Sequence, residues 1–175
     1  MPNCGSLTPN DLAFVKRIHS CHWLATLPPV TVGQDVIDFD PTLAGPGMQE
    51  VVVTLAQNLE LENQALLHHD PSILTAVDHG DRLAVMQGRL SAAAASGSIV
   101  LVHYQFESIA VTLLIPFGVQ DGFSLGLAGH GTAIRETYDA AGVIQSSEST
   151  EFSQVFAVRR ATGARWLNVA VLPPN

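Results

Sequence analysis

The spacing of apolar residues changes at Gly97. Upstream they recur every three or four positions; downstream they alternate. In "GMQEVVVTLAQNLELENQALLHH", Met48, Val52, Leu55, Leu59 and Leu66 trace one side of a helix of about five turns. After Gly97, "SIVLVHYQFE", "SIAVTLLIPF", "FSLGLAG", "GTAIRETYD", "STEFSQVFAVRR" and "RWLNVAVLP" carry the period of two and the β-branched content of strands. Helices followed by strands, instead of helices between strands, predict an α+β fold. The expectation is a set of N-terminal helices packed on a curved antiparallel sheet of five or six strands.

Helix and turn signals place the boundaries. Residues 1–27 read as a helix: Thr8 can cap it, Pro9 fits its first position, Asp11 suits a capping box, and Pro28 and Pro29 stop it. Residues 28–47, rich in proline and glycine, predict an extended arm in which "VIDF" adds one short strand. Residues 48–97 form the helical layer, where Asp70-Pro71 opens a second helix that runs to Gly97 with Gly80 inside it. A break at "DHGD" is the competing reading, since glycine costs about 1 kcal/mol in a helix. Residues 98–173 make the antiparallel meander, with turns at "GHG", "YDAAGV" and "ATGA" and Gly142 supplying a positive φ. With no internal repeat or linker, residues 1–175 are expected to form a single domain.

Charge narrows the choice of partners. The net charge is −8, and no Lys or Arg stands between Arg17 and Arg82. A nucleic-acid partner would want the opposite pattern. Ile99 to Phe117, the longest apolar stretch, is interrupted by His103, Gln105, Glu107 and Ser108, so no direct membrane insertion is expected. The opening "MPNCGSLTPN" lacks the features of a signal peptide. The compartment stays open between the cytoplasm and the extracytoplasmic part of a membrane-anchored protein. Only 14% of residues are charged while 47% are hydrophobic, which suggests that some surface is covered by a protein partner or by a second copy in a homodimer.

The candidate chemistry is sparse. "HSCH" brings His19 and His22 to one side of a helix, with Cys21 turned about 100° away. A metal site would need ligands from elsewhere, and Cys4 with Cys21 offers a disulfide in an oxidising compartment. The third reading, an amphipathic helix with a polar rim, is the one adopted. In "LLHHDP", His68 and His69 suit a helix C-terminus and Asp70 caps the next helix. His79 stands between Asp78 and Asp81 and reads as solvated helix surface. "LAGHGTA" lacks the following helix of an anion loop, so His130 reads as a turn residue. His103, Tyr104, Glu107 and Tyr138 are the ligand-pocket candidates, with Glu136 and Asp139 as further inward acids. No catalytic residue and no cofactor is assigned.

The segment "ENQALLHHDPSILTAVDHGDRLAVMQGRLSAAAASGSIVLVHYQFESIAVTL" is similar to the plastid-division-type intermembrane-space domain. The order of elements resembles the nuclear-transport-factor-two-like (cystatin-like) cone fold. Ala65, Leu66, His69, Leu74, Leu83, Gly97 and Tyr104 carry the likeness. Residues 48–172 share the architecture and 62–113 the residue pattern. The tryptophan such domains often carry in the second helix is absent; Val85 or Met86 stands there. The resemblance implies two classes of role. One is a non-catalytic protein-association domain, as in the soluble part of a membrane-tethered assembly, and it is the leading expectation. The other is a small-molecule-binding or isomerase/hydrolase-type cone with a pocket near His103 and Tyr104.

Overall fold

A computed structural model describes residues 27–114, 123–161 and 165–173. The described elements begin with strand β1 (Val30–Val32), helix α1 (Gln34–Phe39) and a 3-10 turn at Pro41–Leu43. Helices α2 (Pro46–His68), α3 (Pro71–Val77) and α4 (Gly80–Ser96) follow. Strands β2 (Ile99–Leu114), β3 (Ser124–Tyr138), β4 (Ile144–Arg160) and β5 (Trp166–Leu172) complete the order. The α+β class is as expected. The N-terminal helix read over 1–27 lies outside the described residues save for Leu27. The "ATGA" turn lies largely outside them as well.

The five strands form one sheet in the order β1-β2-β3-β4-β5. It is mixed, not wholly antiparallel, because β1 pairs parallel with β2 through Val30↔Ile109, Thr31↔Ala110 and Val32↔Val111. The arm is also less extended than expected: "VIDF" lies in α1, and the short strand is the "VTV" before it. The β2 edge explains both corrections. Gly33 N donates to Val111 O at 2.8 Å, and the Asp35 carboxylate accepts from Leu113 N at 2.7 Å. One edge is thus satisfied by three strand residues and one side chain, and Val36 turns into the core.

Two predicted strand pairs are single long strands. "SIVLVHYQFE" and "SIAVTLLIPF" join in β2 across a bulge between Phe106 and Ser108. "GHG" is not a turn but the middle of β3. Its glycines serve close approach instead: a Cβ on Gly131 would lie 2.0 Å from Gln105 O, and one on Gly129 would lie 2.5 Å from the Phe106 ring. The "YDAAGV" turn is present, with Gly142 at φ +75°. The helical layer breaks at "DHGD", as in the competing reading. Asp78 and His79 are extended, Gly80 has φ +57°, and His79 N donates to Asn168 O at 2.8 Å. Pairing with β5 thus takes the place of helix continuity.

Helix α2 joins two apolar clusters. Met48, Val51, Val52, Leu55 and Leu59 pack with Ile109, Leu125, Leu127, Phe156 and Trp166. Ala65 and Leu66 pack with Leu74, Met86, Ile99, Leu101 and Tyr138. The same helix touches open edges of two non-adjacent strands. Asn58 Nδ2 donates to Trp166 O of β5 at 3.0 Å, and Asn63 Nδ2 donates to Val102 O of β2 at 2.9 Å. For one helix to meet both edges the sheet must curl around it, which accounts for the expected curvature.

Strand β4 outruns its partner. β5 pairs with Val155 to Arg160 only. From Ile144 to Gln154, β4 has β3 on one side and, among the described residues, no strand on the other. No described helix is long and apolar enough to cross a membrane.

Candidate functional site

The curl of the sheet buries a polar cluster between α2, the α3–α4 break and β5. Glu62 lies one turn from Leu59 and Leu66 on the buried side of α2, and is itself buried. Arg82, in the first turn of α4, meets it with a two-point clasp: Nε donates to Oε1 at 2.9 Å, and Nη2 pairs with Oε2. Asn168 Nδ2 donates to the same Oε1 at 3.0 Å. Burial alone would weaken the Arg82 charge, but Glu62 more than restores it, so the guanidinium stays charged.

Asp78 completes this cluster. It is 2% exposed, and neither carboxylate oxygen receives a hydrogen bond. An ionised carboxylate there would be uncompensated in a low-dielectric site. Burial, reinforced by the neighbouring Glu62 charge and a hydrogen bond between the two groups, pushes Asp78 up to about 8. At neutral pH this burial and the adjacent Glu62 charge favour the protonated form of Asp78. The pair can therefore hold one proton beside a guanidinium. Its position at the break also ties α3–α4 to β5, where Asp78 bridges Asn168.

A second cluster gathers two of the expected pocket residues. His103 Nδ1 stands 3.4 Å from Glu60 Oε2, and its Nε2 stands 4.0 Å from Glu136 Oε2. The Tyr138 hydroxyl donates to the same Glu136 oxygen. The hydrogen bond to Glu60 raises the His103 pKa against the opposing effect of burial. Burial would likewise raise Glu60, but hydrogen bonds from His103 and Gln64 outweigh it and hold the carboxyl below its ordinary value. Asn63 ties this corner to the backbone of Val102.

The other two candidates point elsewhere. Tyr104 lies on the opposite side of β2 from His103. Its ring stacks on Phe106 at 6.1 Å and meets Phe152 and Phe156 edge-on at 5.1 and 5.2 Å. Burial raises its phenol pKa. These rings pack against the core under α2, and the Phe106 ring lies against the backbone of Gly129. Glu107 sits at the bulge, exposed, with its Oε2 3.6 Å from His130 Nδ1. Asp139 is spent on its own turn, accepting from Ala141 N and Val143 N.

His19, His22, Cys4 and Cys21 lie outside the described residues. Among the described residues no three His, Cys, Asp or Glu side chains are grouped to hold a metal ion. His69 closes α2 in the left-handed conformation, and Asp70 caps α3 through Ser72 N at 2.9 Å. Sequence reasoning missed the Glu62–Asp78–Arg82–Asn168 cluster. One signal was available: Glu62 interrupts the apolar stripe at a core position of α2.

No family model matches the chain, and no curated protein matches it. Among solved structures, it is similar to the intermembrane space region of the chloroplast protein ARC6. The TM-score is 0.53 at 13% sequence identity, over 72% of this chain and 96% of that one. This likeness is one of fold alone.

Proposed function

We propose that the chain is a protein-association domain, acting as the soluble part of a membrane-tethered assembly, with another protein or a second copy as its partner. The edge of β4 from Ile144 to Gln154, which no strand among the described residues pairs, carries this reading. An unpaired edge is a template for a further strand. The inner face of the sheet, where a small ligand would sit, is occupied by Tyr104, Phe106, Phe152 and Phe156. His103 and Tyr104 face opposite sides of β2, so they do not line one cavity. The similar fold of an intermembrane space region accords with a domain working beside a membrane.

The test is a photo-crosslinking amino acid placed at Ser149 on the edge, or at exposed Val85 on α4, in the native cell. Adducts from position 149 that vanish when Ser147→Pro blocks the edge support association there. A chain that gives no adduct at 149, or the same adducts from both sites, contradicts it.

A further inference from the structure

We infer that the open edge of β4 receives an extended, Lys/Arg-bearing segment of another protein as a sixth strand. This rests on the association reading above and names the chemistry of its partner.

The backbone sets the docking geometry. Asn58 bonds to Trp166 O and His79 N bonds to Asn168 O, so residues 166 and 168 direct their backbone groups away from β4. Leu167 then points toward β4, at Arg159 in the register. Alternation along β4 puts the N–H and C=O of Ser147, Ser149, Glu151 and Ser153 on its open side. All four residues are exposed. Small hydroxyl side chains at Ser146, Ser147, Ser149 and Thr150 leave room for a neighbouring strand on both faces. No proline interrupts the edge, and no lysine guards it.

Charge decides between occupants. Residues 135–154 hold Glu136, Asp139, Glu148 and Glu151 against one cation, Arg135, which stands opposite Glu148 in the register. Glu148 and Glu151 are three positions apart and so present carboxylates on opposite faces of β4. A second copy would bring the same excess of negative charge to the seam, and the whole chain is at −8. A basic strand neutralises both faces at once, since cross-strand pairs of opposite charge stabilise and like pairs do the reverse.

Residue-resolved amide exchange on the full chain tests this with two synthetic ten-residue peptides, one repeating Thr-Thr-Lys-Lys and the other Thr-Thr-Glu-Glu, so that each carries its charges on both faces of a strand. The Lys peptide should slow exchange at Ser147, Ser149, Glu151 and Ser153 about threefold at two-thirds occupancy. The Glu peptide should not, and E148K/E151K should abolish the protection. Equal protection by both peptides overturns the charge selection and leaves strand addition standing. Protection that grows with protein concentration and no peptide identifies a second copy, which overturns the basic-partner inference but not association. Edge amides that neither peptide nor concentration protects sink both.

Discussion

Asn63 of α2 grips both backbone groups of Val102, accepting from its N–H at 3.1 Å and donating to its C=O at 2.9 Å. A side-chain amide here does the work of a neighbouring strand on the upper part of the β2 edge. Arg89 extends the cover by donating to Val100 O at 2.8 Å. The same sheet therefore has one edge covered by unlike devices at Val100, Val102 and Ile109 to Leu113, and a second that no described strand pairs along half of β4.

Replacing Asn63 with Leu leaves a partly buried N–H and C=O without partners. Stability should fall by about 1–3 kcal/mol in urea unfolding. The amides of β2 near Val102 should exchange faster than those near Val111, which β1 still covers. Uniform acceleration along β2 would contradict this account of the edge.

Arg82→Met strands a buried carboxylate at Glu62 next to Asp78. The expected loss is about 3–5 kcal/mol. Removing the carboxylate as well, in Glu62→Leu with Arg82→Met, should recover much of it, because an apolar pair carries no desolvation penalty. Additive losses in a double-mutant cycle would show that the two side chains act independently.

Asp78 links this cluster to pH. Its folded-state value of about 8 lies above the roughly 3.9 of an unfolded aspartate. The bound proton thus adds stability in full below about pH 4, and the gain is lost as pH rises through 8. Wild-type stability should decline from pH 5 to pH 9. Asp78→Asn, which keeps a donor for Glu62 without a titrating proton, should flatten that decline. Parallel curves for the two proteins would remove Asp78 as the cause.

His103 offers a titration at a different place. Its hydrogen bond to Glu60 raises the folded pKa, so its contribution is complete below the unfolded value of about 6.5 and fades as pH rises through the folded value. The imidazole NMR midpoint should lie above 6.5 and fall in Glu60→Gln. An unchanged midpoint would mean that Glu136, 4.0 Å from the other ring nitrogen, dominates.

Gly131→Ala tests the bulge of β2. The new methyl would press on Gln105 O, a backbone atom that cannot rotate away. Overpacking of this kind costs about 1–3 kcal/mol. A neutral effect would indicate that the bulge shifts freely.

Local periodicity and punctuation determined the order of helices and strands, the Asp70 cap, the turn at Gly142 and the buried stripe of α2, because those depend on neighbours within a few residues. The pocket candidates were legible only as residue types. His103 and Tyr138 meet through Glu136, whereas Tyr104 turns into the aromatic core and Glu107 into solvent. Tertiary structure alone decided the parallel strand β1, the break at Asp78–His79, and the gathering of Glu62, Arg82 and Asn168. Each answers to a partner far along the chain: the β2 edge for β1, and Asn168 for the break, whose pairing with His79 outweighs one more turn of helix. Buried charge obeys the same logic, since Glu62 is tolerable at a core position only where the curl of the sheet and the α3–α4 break deliver Arg82 and a proton on Asp78 to meet it.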